Sequence, residues 1–183
     1  AADAPAAPAA PGAPKAPAPP PKVEAPKTQE ATPVKGGDKF ANFMLPFAFE
    51  NKMAKFADLQ DSQGKSAKLT ILTFTNTSCA ACQDEMQLLT GLKSKHGKDL
   101  FIVAVVTDYN AKRIAENLGE DTKKAFTFVT DPYFTVPPLY GFASTPATAF
   151  ITPDGKVASA DRGYLPTDAG RQALIDKIES YLK

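Results

Sequence analysis

Tryptophan is absent from this 183-residue chain, histidine occurs once, and cysteine only twice. One histidine and two cysteines cannot supply the four Cys or His ligands of a structural zinc site within a single chain. Covalent haem attachment does not fit either, because Gln83, not histidine, follows the second cysteine. Charge of one sign is also lacking. The 21 Lys and Arg residues nearly balance the 20 Asp and Glu, for a net charge of +1, which argues against a dedicated nucleic-acid binder. No apolar run approaches the roughly 20 residues that a membrane-spanning helix needs, and no internal repeat is visible.

The first 37 residues have no aromatic side chain and almost no branched aliphatics; they are mostly Ala, Pro and Lys. Such a stretch cannot bury enough apolar surface to offset its ordering entropy, and its prolines favour an extended polyproline II path. Residues 1–37 are therefore expected to be a disordered, semi-stiff tether reaching roughly 100 Å at about 3.1 Å per residue; the plainer alternative is a tail without a role. The opening "AADAPAAP" reads as the small-residue end left after cleavage of an export signal, or as a chain trimmed at that point. An envelope location, with this segment as a membrane tether, is the expectation.

Residues 38–183 are rich in Phe, Leu, Ile and Val and have the length of one domain with one core. Two short strands are expected near Phe47–Phe49 and Lys55–Phe56, then a turn at Ser62–Gly64. "KLTILTFTN" is a run of β-formers and should be a central strand. After it, Met86, Leu88, Leu89 and Leu92 fall at helical spacing, with Gly97 just past the end. "LFIVAVVTD" reads as a strand covered on both faces. "AKRIAENLG" predicts a helix closed by Gly119, "TKKAF" a further helical turn, and "FTFVTDP" an extended piece. "ATAFITPDGKVASADRGYL" predicts two strands joined by Pro153-Asp154-Gly155. Thr167 should cap a last helix whose Leu174, Ile175, Ile178 and Leu182 form one stripe. This order implies an α/β fold: a mixed sheet with helices on both faces.

The two cysteines, Cys79 and Cys82, stand in "NTSCAACQ", between the central strand and its helix. As a structural staple they would close a very small loop and stabilise little. As metal ligands they lack company: His96 lies roughly 20 Å away along the helix at about 1.5 Å per residue, although a site shared between two chains stays open. A redox pair accounts for placement as well as number. Thiolate is the attacking form, and a helix N-terminus favours it through unpaired N–H groups and the helix dipole. The dipole is worth about 0.3–1 kcal/mol when exposed and up to roughly 2 when partly buried. Ala80 and Ala81 add no charge, so Cys79 is expected to be a moderately activated nucleophile. Cys82, one turn in and shielded, would be the resolving thiol. No nucleotide, flavin or metal cofactor is expected, only the Cys79–Cys82 disulfide.

"LTILTFTNTSCAACQDEMQLL", "VAVVTD", "TDPYFTVPPLYGFASTPATAFITPDGKV" and the last helix together resemble the thioredoxin fold. Within it, the chain is similar to the TlpA/ResA-like envelope thiol–disulfide oxidoreductases, from about Phe43 to the C-terminus. The resemblance implies a cis Pro146 facing the cysteines, with Thr145 offering backbone groups to a substrate strand, and Ser78, Ala80 and Ala81 around the same surface. It places Glu85 where some of these proteins carry an acid near the cysteines. Glu85 would then take the proton that Cys82 must lose; the alternative is an ordinary acid favoured by the helix dipole. The chain departs from thioredoxin at Thr73, where an acid is usual, at Ser78 in place of tryptophan, and at Gln87 in place of proline. The implied activity is reduction of disulfides in partner proteins, as in cytochrome c maturation or related thiol upkeep. The chain would be a monomer re-reduced by a membrane electron donor. Two rivals on related scaffolds are a thiol peroxidase, which would want Thr where Asn76 stands, and a copper or metal carrier, which would want wider cysteine spacing. His96 is expected to be solvated. Tyr133, Phe134, Val136 and Tyr140 are expected to pack a loop, with some of them free to rim the site. Asp108 and Asp131 lack companions for a metal site.

Overall fold

The computed structural model describes residues 32–109, 113 and 116–183. The expected tether thus lies outside the described residues up to residue 31. Its last residues are stitched to the domain: the Val34 N–H donates to the Leu139 carbonyl at 2.9 Å and the Gly37 N–H to Val157 at 2.8 Å. Backbone pairing, with Val34 packed against the core, holds these residues to the domain.

The domain opens with a hairpin of β1 (Met44–Pro46) and β2 (Met53–Lys55), followed at once by helix α1 (Phe56–Ser62). The strands stand a few residues earlier than the Phe47–Phe49 and Lys55–Phe56 expected from sequence, and the helix is one the sequence pattern does not predict. In the pairing observed, Leu45 opposes Ala54, and these are the buried residues of each strand. Helix α1 has no side-chain cap from its own N-cap residue, Lys55. Instead Asn42 Oδ1 accepts from the Ala57 N–H at 2.9 Å, a cap that comes from outside the local pattern.

A five-stranded sheet follows, ordered β5-β4-β3-β6-β7. It consists of β3 (Leu69–Thr75), β4 (Leu100–Val106), β5 (Thr127–Thr130), β6 (Ala147–Ile151) and β7 (Val157–Arg162). Strands β3, β4 and β5 are parallel; β6 is antiparallel to β3, and β7 to β6. Every residue of β3 and β4 is buried, as their near-continuous apolar runs require. Side chains alternate between faces. Leu72 and Phe74 join Phe43, Phe56 and Tyr140 on one side. Leu69 and Ile71 join Met86 and Leu89 of helix α2 (Ala80–His96) and Ile178 of helix α4 (Asp168–Leu182) on the other.

Helix α3 (Glu120–Ala125) occupies the expected "TKKAF" turn, while the helix predicted over 111–119 lies in part outside the described residues. Gly97 caps α2 with φ 53°, and Gly155 turns the β6–β7 hairpin with φ 82°, conformations that cost glycine little. Thr167 caps α4 as expected, its hydroxyl accepting from the Gly170 N–H at 3.1 Å. His96 is not solvated. Helix α4 returns beside α2, and His96 Nε2 meets Glu179 Oε1 at 3.0 Å with 16% of the His side chain exposed. Val136 and Tyr140 are buried as expected, but Tyr133 is 80% exposed. No helix among the described residues is long and apolar enough to cross a membrane.

Candidate active site

Strand β3 delivers the chain to a tightly bonded loop, residues 76–79. Asn76 Oδ1 accepts from the Ser78 N–H at 3.0 Å and from the Ser78 hydroxyl. Thr77 donates through its N–H (2.8 Å) and its hydroxyl (2.9 Å) to the carboxylate of Asp108, just past β4. Gln83 Nε2 donates back to the Thr77 carbonyl at 2.6 Å. The loop is thereby fixed from both the sheet and the helix.

Cys79 is the N-cap of α2, in extended conformation, with its carbonyl accepting the first helical bond from Gln83 at 3.0 Å. Its Sγ accepts from the Cys82 N–H at 3.2 Å. A sulfur in this position takes the place of the oxygen that usually caps a helix. Cys79 is partly exposed and Cys82 fully buried. Burial, and after it the neighbouring Cys79 sulfur, pushes the Cys82 thiol up to about 12. The Asn76 backbone and the Thr145 hydroxyl pull the other way. Ser78 and Ala80 are exposed beside Cys79, and Ala81 is half-buried.

The Thr145–Pro146 peptide is cis. Pro146 leads into β6, whose Ala147 pairs with Phe74 near the end of β3. The antiparallel register thus brings Pro146 to the cysteine loop, with the Thr145 hydroxyl against Cys82.

Glu85 lies on α2 three residues after Cys82 and is only 2% exposed. Its Oε1 accepts from Thr148 at 2.7 Å and its Oε2 from Thr73 at 3.4 Å. Thr73 and Thr148 are register partners across β3 and β6, so the two hydroxyls reach the carboxyl together. Burial raises the Glu85 carboxyl to about 7, and the two threonine hydroxyls hold it from rising further. This is not an ordinary first-turn acid. Thr73, at the position where thioredoxin carries its acid, faces a carboxyl supplied from the helix instead. A cavity of about 360 Å³ between α4, β6 and β7 reaches Glu85, with Thr148, Phe150, Tyr164 and Lys177 among its lining residues.

The cluster contains residues that sequence reasoning did not single out: Thr148, and the trio Asp84, Tyr164 and Arg171. Arg171 Nη2 and Tyr164 Oη both reach Asp84 at 2.5 Å, joining the start of α2 to α4. The guanidinium, then the phenol, holds the Asp84 carboxyl below its ordinary range. Thr148 sat within a run of strand-formers, and nothing local marked it as a carboxylate partner. Asp108 and Asp131 serve as hydrogen-bond acceptors for their loops. Among the described residues no group of three or more His, Cys, Asp or Glu side chains is placed to hold a metal ion.

Known structures with this architecture point the same way. A Chlorobium tepidum structure, named as a candidate thiol:disulfide interchange protein DsbE, has 26% identity and a TM-score of 0.66. The match covers 83% of this chain and 100% of that one. The exposed lipoprotein thioredoxin Etrx1 of Streptococcus pneumoniae matches at 20% identity and TM-score 0.56, covering 76% of this chain and 99% of its own. MTB dsbF matches at 21% and 0.61, covering 76% and 94%. A search of curated proteins found no match. The fold and these likenesses define a thioredoxin-fold thiol–disulfide oxidoreductase. The Redoxin family model matches residues 35–176, and the chain belongs to that family.

Proposed function

We propose that this protein reduces disulfides in partner proteins outside the cytoplasm, with Cys79 as nucleophile and Cys82 as resolving thiol. The observation that carries the reading is the contrast at the start of α2: a partly exposed sulfur capping the helix, and a buried one a single turn further in. The Cys79 thiolate attacks one sulfur of the partner disulfide, and the partner's other sulfur leaves as a thiolate. Cys82 then gives its proton to Glu85 and attacks Cys79 Sγ. The mixed disulfide breaks, the partner departs with both sulfurs reduced, and Cys79–Cys82 is left oxidised. Two electrons have passed to the partner, and a membrane electron donor returns them. Thr145, cis-Pro146, Ser78, Ala80 and Ala81 form the surface on which the partner chain lies.

The electrons reside in the sulfur pair, so the proposal calls for no nucleotide, flavin or metal. The composition of residues 1–37 and the likeness to an exposed lipoprotein thioredoxin support an envelope location with a tether. The similarity to TlpA/ResA-like enzymes supports cytochrome c maturation or related thiol upkeep as the setting.

Insulin reduction tests the roles. Cys79→Ser abolishes it, whereas Cys82→Ser accumulates mixed disulfides with its substrate. Equilibration in glutathione buffers of graded ratio tests direction: a reductase is predominantly oxidised in a buffer poised like the endoplasmic reticulum. A protein that stays reduced there is an oxidant, and the proposed direction fails.

A further inference from the structure

We propose that Tyr109 and Tyr133 form a docking corner for an apolar side chain of the partner protein, two or three residues from its reacting cysteine. This rests on the proposed exchange with partner proteins and adds a determinant of which partners react well.

Two tyrosines stand almost fully in solvent, Tyr109 at 83% and Tyr133 at 80% exposure. They meet edge to face, with centroids 6.3 Å apart and planes at 90°. Such a pair leaves a right-angled corner between the faces of the two rings, which offers a single apolar side chain such as leucine two aromatic surfaces.

The loop carrying Tyr133 is built to hold it outward. Asp131, 1% exposed, accepts from the Thr135 N–H (3.0 Å), the Thr135 hydroxyl (2.8 Å) and the Val136 N–H (2.8 Å). Phe134 sits at φ 55°, a left-handed conformation uncommon outside glycine and costly for an aromatic residue. A loop that spends strain and a buried carboxylate to present an exposed ring is preorganised, which lowers the entropy cost of binding.

The pair is continuous with the site where the partner disulfide must react. Tyr109 directly follows Asp108, which binds Thr77, itself two residues before Cys79. Tyr133 follows β5, the next strand out from β4. Strands lie about 4.8 Å apart, so the ends of β4 and β5 stand roughly 5–10 Å to one side of the cysteine loop. An extended partner chain rising about 3.3 Å per residue crosses that gap in two or three residues. Thr145 and cis-Pro146 lie on the opposite side of β3, before β6. A partner held at Cys79 has the tyrosines on one flank and the proline loop on the other.

The test uses reduced full-length protein and synthetic peptides whose central cysteine is in mixed disulfide with glutathione. Leucine or glycine is placed two and three residues to either side. Wild-type protein cleaves the best leucine peptide roughly tenfold faster than the glycine peptide. In Tyr109→Ala/Tyr133→Ala the ratio of the two rates falls close to one, and in Tyr109→Phe/Tyr133→Phe it is retained. Each variant's rate with the glycine peptide is its own reference, so a general slowing does not imitate the effect. An alanine variant that keeps the wild-type ratio overturns the docking corner. A Cys79→Ser control that still cleaves the peptides overturns instead the exchange reading beneath it.

Discussion

Glu85 ionises near 7 because α2 folds it under the sheet, where two threonine hydroxyls replace water. Its ordinary value is 4.5. Between those pH values the folded chain keeps a proton that the unfolded chain has lost, so stability falls as pH rises through this window. The loss is on the order of 3 kcal/mol, present in full above 7 and absent below 4.5. Glu85→Gln carries no such charge. In urea denaturation its stability relative to wild type should rise from pH 4.5 to 8; a flat difference contradicts the buried acid. In the proposed exchange the same ionisation sets the rate of partner release. If Glu85 accepts the Cys82 proton, release of a trapped partner speeds up with pH until about 7, and Glu85→Gln slows it at pH 7.5 by about a hundredfold. Stopped-flow resolution of a preformed mixed disulfide reads both. The sequence marked Glu85 by its place after Cys82, but not its burial. That depends on Thr73 meeting Thr148 across strands 75 residues apart in the chain, a register no local pattern states.

Elements with local signals were legible and those with remote ones were not. Strand β3, helix α2 and the β6–β7 hairpin each carry their own start, period and stop: β-formers, spaced apolar residues ending at Gly97, and Pro-Asp-Gly. Helix α1 carries none of these, and its cap arrives from Asn42. Asn42→Ala should therefore cost about 1 kcal/mol in urea unfolding, and no loss would show that α1 stands without that cap. The loop after β5 looked like packing because four aromatic or branched residues cluster there. Asp131, by bonding Thr135 and Val136, sends Tyr133 the other way. Asp131→Ala removes those acceptors and should destabilise by about 1–3 kcal/mol.

At the scale of the whole domain, the sheet is what makes the site. Two apolar layers clamp it from opposite faces, and the ends of its strands bring Cys79, Pro146 and Tyr109 together from distant parts of the chain. Leu89, fully buried between α2 and the sheet, ties the helix to that frame. Leu89→Ala should cost about 2–5 kcal/mol of stability. The fold class was readable from the order of elements; the meeting of Thr145 with Cys82 needed β6 to run back antiparallel beside β3.

In the proposed exchange the sulfur that caps α2 attacks, and the buried one behind it waits. A brief pulse of iodoacetamide on the reduced protein at pH 7, read by peptide mass spectrometry, measures this asymmetry directly. Alkylation confined to Cys79 is the predicted result; alkylation of Cys82 with Cys79 left free would contradict it.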